Sequence, residues 1–542
     1  MAKDTAFKAK KSAPRPHVIG VVEGDVSAAA TVLSSEDIPS DWGSLVADLS
    51  MAEMPREPEW RVHDRTHLEF AVDYRVAANE GKQVFEWDAY FFVPESLRLY
   101  EETYEKREIY DDLQSYVRFA VPSVKFSALI GAPISRLKAS LLDNTNEAAT
   151  LRELRLFACL VRASSLAARR TVLEELEKAE NPLAAGEAAI ELVRNAGAVT
   201  SAMREVMKIA PKDESPIGTA VTWVDEDVSR AMETLLGTLA IDLRGRGAPE
   251  LVASTVAAGA VSEAVYRQAN SLEGVGYADA NERAIERLEF RRHVLKRFTS
   301  SVLWLSLDVR DGAKLALQFF YALAAGVAMA LAFVLALSQG DATATGSSGF
   351  VWRTALLVVL AYAIKDRVKA FLQERFSRVV SRHFPDRRWH IRERERNVTL
   401  GEVRERSGFV KFNELPAEVL TSRRMTRVHS FEEDARPERV LWHHKTVRVH
   451  GDDLANADGR FQALTEIFRL NLRRWLDHTD DPKRKIVFAD PDDRRIYTAT
   501  APRAYNIAIV YRLRKKGDTN AAWHRNRVVV TRKGILRIDP IS

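Results

Sequence analysis

Four groups of residues in this 542-residue chain have types and spacings that chemistry could use. His63 and His67 stand four apart, a spacing that on a helix turns two imidazoles to one face and toward one metal. Apolar and polar residues alternate immediately afterwards, so the segment reads as extended, where four residues cover about 13 Å and the pair is split. His443, His444 and His450 fall in another strand-like run with no Cys or carboxylate at ligand spacing, and read as packing or surface histidines. Ser135 and Lys138 match a Ser-x-x-Lys nucleophile pair, but the Lys-Thr-Gly companion is absent. Asp490, Asp492 and Asp493 have the composition of a cation site. Pro491 among them and Arg494 and Arg495 after them make the segment a charged turn instead. No phosphate-binding Gly-x-x-x-x-Gly-Lys-Ser/Thr loop, dinucleotide-binding glycine set or His-Glu-x-x-His helix occurs. The sequence therefore nominates no catalytic residue, no metal ligand and no cofactor.

Any site also needs elements to position it. With 46% hydrophobic and 29% charged residues the chain is not a disordered polyelectrolyte, and its single cysteine, Cys159, excludes a disulfide framework and fits a reducing compartment. Charge is unevenly spread: residues 365–542 hold 40 Lys+Arg and 25 Asp+Glu, whereas residues 1–364 hold 40 and 50. Such a split calls for an anionic partner for the C-terminal third, either phospholipid, nucleic acid, another protein or the acidic part of the same chain. Residues 1–60 read as a flexible segment, basic and then acidic, broken by Pro39, Pro55 and Pro58 and lacking the apolar core of a secretory signal.

The strongest pattern lies mid-chain. Leu315 to Leu337 is 23 residues without a charge, long enough at about 1.5 Å per residue to cross a hydrocarbon layer about 30 Å thick. A second apolar stretch, 350–364, carries Arg353 near its start, and the two are separated by a Gly/Ser/Thr/Ala-rich linker at 338–349. A hairpin that crosses and returns is predicted, the alternative being one span followed by an in-plane helix. Basic flanks before and after the pair, including Lys365, Arg367, Lys369, Arg375 and Arg378, place both large domains in the cytoplasm by the positive-inside rule. The same five side chains are the candidates for contact with anionic lipid or a partner. Ala322, Gly326 and Ala330 recur every four residues and would let another helix approach closely, from the second span or another copy.

The remaining segments predict an α+β membrane protein: a mixed α/β N-terminal cytoplasmic domain at 61–281, a two-helix transmembrane hairpin, and a mainly β C-terminal cytoplasmic domain at 400–542. Alternation at Leu68–Tyr74 and Phe85–Val93 around an Asn-Glu-Gly-Lys turn predicts a β-hairpin, followed by helices. Leu288, Leu295, Val302 and Val309 are spaced by seven, so an amphipathic helix over 282–314 is expected to lead into the membrane, and residues 365–399 to leave it as a basic helix and linker. Residues 459–478 read as a helix among the C-terminal strands.

The runs FFVPESLRLY and IYDDLQSYVRF and the junction VVLAYAIKDRVKAFL resemble stretches of a family of bacterial two-span inner-membrane proteins with no assigned activity. That resemblance implies a bacterial inner-membrane location and carries over no site residue. The function expected is binding, as a scaffold or regulatory component at the cytoplasmic face, with membrane lipids and another protein or a second copy as partners. A membrane-anchored enzyme whose site is assembled from distant residues is the alternative, and membrane-tethered nucleic-acid binding, suggested by the aromatics among the C-terminal charges, ranks below both.

Overall fold

The computed structural model describes residues 59–541 apart from 77–80, 123, 144–145, 179–181, 212–214, 273–280, 312–313, 338–347, 425–437, 493–494 and 519–520. Nearly all of the segment 1–60 and most of the linker 338–349 therefore lie outside the described residues. The chain forms two compact units, a helical one from Arg118–Trp304 and a strand-built one that joins Glu57–Val117 to Leu305–Ser542. This corrects the expected boundaries: the first strands belong with the last ones, and the helices are an insertion between them.

Eight strands make the larger sheet, in the order β14 (Gly534–Ile541), β13 (His524–Thr531), β12 (Tyr505–Lys515), β3 (Lys82–Pro94), β8 (Glu438–His450), β7 (Thr399–Val410), β6 (Arg387–Arg392) and β5 (Ser306–Asp311). Four more, β1 (Glu59–Val62), β2 (His67–Arg75), β9 (Ala463–Asn471) and β4 (Leu113–Phe119), make a second sheet. The alternation that predicts β2 and β3 is real, but they do not pair as a hairpin. β2 lies against β9 and β3 between β12 and β8. An aromatic layer joins the two sheets: Trp87 of β3 lies 5.1 Å from Phe70 and 4.8 Å from Phe468 by ring centroids. Acidic N-terminal strands also meet basic C-terminal ones, with Glu69 on Arg469 at 2.8 Å and Glu86 on Arg514 at 2.5 Å, so part of the charge asymmetry is met inside this unit.

Where a helix is predicted at 459–478 the chain forms strand β9 (Ala463–Asn471), with helix only over Arg473–Leu476. β9 is flanked by β2 and β4 and buried on both faces, so it lacks the alternation that would have marked it as a strand. At the β13–β14 turn Gly534 adopts φ +130°, and a side chain there would collide with the Arg65 carbonyl, which accepts the Ile535 N–H at 2.7 Å.

The helical unit is built from α2 (Ala132–Asp143), α3 (Glu147–Lys178), α4 (Pro182–Ile209), α5 (Pro216–Gly245), α6 (Glu250–Ala269) and α7 (Glu282–Ser300), following α1 (Lys106–Asp112) of the strand unit. Ser215 caps α5 by accepting the Gly218 N–H, with Pro216 at the first helical position, and Asn281 caps α7 in the same way. The amphipathic helix expected over 282–314 stops at Ser300. Leu295 and Val302 are core residues, but Val309 sits in β5, which pairs with β6 and leaves that side chain exposed. Strand pairing overrides the seven-residue pattern.

Between β5 and β6 the chain makes an excursion of two helices, α8 (Lys314–Leu337) and α9 (Ser348–His383), followed further on by the short α10 (Ala417–Arg424), α11 (Gly451–Ala457) and α12 (Arg473–Leu476). Among the described residues α8 alone is long and apolar enough to cross a membrane, over Leu317–Val334. The second apolar stretch runs unbroken into the charged half of α9, and Phe320 meets Phe376 at 5.1 Å. Counting about 1.5 Å per residue from that level, Lys365, Arg367 and Lys369 run beside the apolar middle of α8. Among the described residues the second expected span does not meet the measure of a membrane-crossing helix, so the two-span hairpin is not confirmed. The small residues of α8 that are buried are Ala324 and Ala328, whereas Ala322, Gly326 and Ala330 face outward. The stripe read from the sequence therefore does not pack against α9.

Candidate anion-binding site

Three helices of the helical unit each turn one stripe toward a common cavity of about 140 Å³. From α3 come Arg162 and Arg169, seven apart, with Ser165 and Leu166 between them. α5 contributes Asp227, Arg230, Thr234 and Thr238, and α7 contributes Arg292, Lys296 and Ser300, at intervals of three or four that place each set on one helix face. Arg118 and Trp304, the first and last residues of the unit, complete the lining and are joined by an antiparallel bridge. Six cationic side chains and one carboxylate thus surround one space. Leu166, Leu235 and Leu303 supply apolar wall beside them.

Carboxylates on α5 hold three of these arginines in place. Arg162 pairs with Asp227, Arg169 reaches Asp242 through two N–H groups at 2.9 and 2.6 Å, and Arg230 reaches Glu226 at 2.9 and 2.8 Å. Glu226 is buried, which alone would push its carboxyl up, but hydrogen bonds from Arg291 and Arg230 outweigh burial and hold it below the usual carboxylate range. Arg292 meets the Thr234 hydroxyl at 3.4 Å, a long contact compared with those carboxylate pairs. The Cys159 thiol also lines the cavity, donates to the Thr299 carbonyl at 3.3 Å and is pushed up to about 12 by burial, so it is no nucleophile. Pinned guanidiniums, hydroxyls and apolar walls can bind a small anion with an organic body. They supply no general base.

A second polar cluster lies between the two sheets and is sealed. Lys445 of β8 has no exposed surface; its Nζ donates to Glu466 of β9 at 2.5 Å and Ser115 of β4 at 3.0 Å, and lies 2.9 Å from Glu405 of β7. Burial opposes the Lys445 charge, but Glu405 and Glu466 outweigh it and raise its pKa. Burial pushes the Glu405 carboxyl up against the pull of Lys445, as expected when one ammonium faces two carboxylates. Tyr74 donates its hydroxyl to Glu466 at 2.7 Å, and His443 Nδ1 is hydrogen-bonded to the Ser407 hydroxyl at 2.5 Å, its pKa lowered well below normal by burial and the nearby Lys445. The Ser407–His443–Glu405 order resembles a nucleophile relay, yet His443 and Glu405 are buried between the layers. This cluster fastens the two sheets together.

The residues singled out from sequence do not assemble into one site, although His63 and His67 are not split as an extended segment would split them and meet edge to face with ring centroids 6.4 Å apart. His67 bonds Asp64 while His63 faces Glu69 at 3.5 Å. His444 bonds Asp88 at 2.7 Å, and His450 lies 3.0 Å from Asp453. Ser135 and Lys138 sit on α2; Asp490 ends β10 (Lys483–Asp490) and Asp492 follows it in a turn before β11 (Arg495–Pro502), while Asp493 lies outside the described residues. Arg367, Lys369 and Arg375 are exposed on α9, and Lys365 lies over the Tyr362 ring at 3.8 Å; the Arg378 side chain is outside the described residues. None of the cavity residues was singled out by motif. The available signal was Arg162 with Arg169 and Arg292 with Lys296, cations at helical spacing in the acidic part of the chain.

Comparison with protein families, curated proteins and solved structures gives no match.

Proposed function

We propose that this chain is a membrane-anchored binding protein whose helical unit captures a small phosphate- or carboxylate-bearing molecule and acts as a regulatory or scaffold component at the cytoplasmic face of a bacterial inner membrane. The observation that carries the reading is the set of six cationic side chains converging on one cavity with a single carboxylate. Opposed charge in a partly desolvated pocket is what an anion needs.

The anchor is α8, and the antiparallel β5–β6 pairing constrains the path of the chain beyond it. Those adjacent strands are the two ends of the α8–α9 excursion, so a chain that enters the bilayer through α8 comes back to the side it left. This supports a return across the membrane by α9, with the strands before and after the excursion on one side, independently of the basic flanks. Arg375, which stands next to Phe376 at the level of Phe320 near the start of α8, would then meet anionic headgroups at about 1 kcal/mol.

Thermal-shift titration of the full chain in detergent with inorganic phosphate, pyrophosphate and citrate tests the site. A saturable rise in unfolding temperature with at least one of them is expected, lost in Arg292→Ala and Lys296→Ala. No shift, or a shift indifferent to both substitutions, would remove the reading. A shift given by anionic vesicles and by none of the three soluble anions would assign the pocket to a lipid headgroup.

A further inference from the structure

β10 and β11 pair only with each other among the described strands, in the register Lys483↔Pro502 to Asp490↔Arg495. An isolated two-stranded hairpin is marginal in water. This one nevertheless exposes large apolar side chains on both faces: Val487 (68%) and Ile496 (76%) on one, Ile486, Phe488 and Tyr497 on the other. Both long edges of the hairpin also lack a strand neighbour among the described residues, the condition under which a second strand adds.

The sequence of β10 is complementary to itself when reversed. A two-fold axis perpendicular to the sheet keeps each residue on its own face, so opposed residues share parity. With the axis at Val487, Val487 faces Val487 of a second copy, Ile486 faces Phe488, and Arg484 faces Asp490, the last two pairs occurring twice. Cationic residues fall at one end of the strand, an acidic residue at the other and apolar ones between. We propose that β10 pairs antiparallel with β10 of a second copy of this chain, joining two hairpins into one four-stranded sheet and making the protein a two-fold dimer.

The test uses the full chain in detergent and in native membranes. Val487→Cys places one thiol on the axis, where directly opposed Cβ atoms lie about 4.5–5.5 Å apart. Cys159 is buried and does not compete. Mild oxidation is expected to give a disulfide-linked dimer from Val487→Cys. Thr498→Cys, one strand away from the axis on β11, gives none. Arg484→Glu is expected to weaken the dimer about tenfold or more, because like charges then oppose twice, and Arg484→Glu with Asp490→Arg restores it. A monomeric mass at micromolar concentration, with cross-linking from Val487→Cys no stronger than from Thr498→Cys, would overturn the proposal. So would a monomer whose hairpin binds anionic vesicles, which would hand the apolar faces to lipid.

Discussion

Replacing Lys445 with methionine keeps the volume of the side chain but removes the one ammonium shared by Glu405 and Glu466. Its Nζ lies 2.5 Å from one carboxylate and 2.9 Å from the other, inside a ring of Trp87, Trp389 and Phe468 at 5.0–5.7 Å. Removing one partner of a buried ion pair costs about 3–5 kcal/mol, because the remaining charge is left without compensation. With a urea slope of about 2–3 kcal/mol per molar, the midpoint of the strand unit should fall by about 1–2 M. Fluorescence of Trp87 and Trp389, which flank the site, reports that transition. Without the pull of Lys445 the buried Glu405 carboxyl shifts further up, so the folded variant binds a proton that the unfolded chain does not, and the penalty shrinks as pH falls from 7 toward 5. Lys445→Met combined with Glu405→Gln and Glu466→Gln should recover most of the loss at pH 7. A loss under about 1 kcal/mol, or one that does not change with pH, would refute the assignment of this cluster as the fastening between the sheets.

Asp225 in α5 is buried, accepts the Tyr266 hydroxyl at 2.8 Å, and has its pKa raised to about 6 chiefly by burial. Its folded form therefore binds protons more readily than its unfolded form, so it costs stability as pH rises from about 4 to 6, by about 3 kcal/mol in all. Asp225→Asn should flatten that part of the thermal profile and stabilise the helical unit at pH 7; a profile parallel to the parent's would contradict this. Gly534→Ala should destabilise the strand unit by about 1–3 kcal/mol through the positive φ and the Arg65 carbonyl, visible as a lower urea midpoint; an unchanged midpoint would show that the turn rearranges freely. A reporter fused after Gly346 should read extracytoplasmic if α8 and α9 cross and return. A cytoplasmic signal there would leave α8 without a crossing.

The sequence carried the local signals and missed the long-range ones. Alternation marks β8 and the first half of β3, and helical periodicity marks α6, because there one face is buried more deeply than the other. β9 carries no such contrast: both its faces are covered, so RFQALTEIFRLN reads equally well as a buried helix. The partner of β3 comes from more than 340 positions away, in β8 and β12, and single-chain patterns hold no information about such pairing. The cationic cavity was hidden for a related reason. Arg162, Arg230 and Arg292 look like solvated charges on three separate helices, and only packing brings them to one space. The seven-residue spacing on α7 buries Leu295 but not Leu288, and its continuation past Ser300 yields to the hydrogen-bonding demand of a sheet edge at β6.

An anion is expected to bind among the cationic side chains of the cavity. Isothermal titration of the full chain with inorganic pyrophosphate at two salt concentrations, beside Arg292→Glu with Lys296→Glu, tests it most directly. One site per chain is expected, with affinity that weakens as salt rises and falls about a hundredfold or more in the charge-reversed variant, since two charge-assisted contacts at about 1.5–3 kcal/mol are replaced by repulsion. Equal binding by parent and variant, or no heat from either, would contradict it.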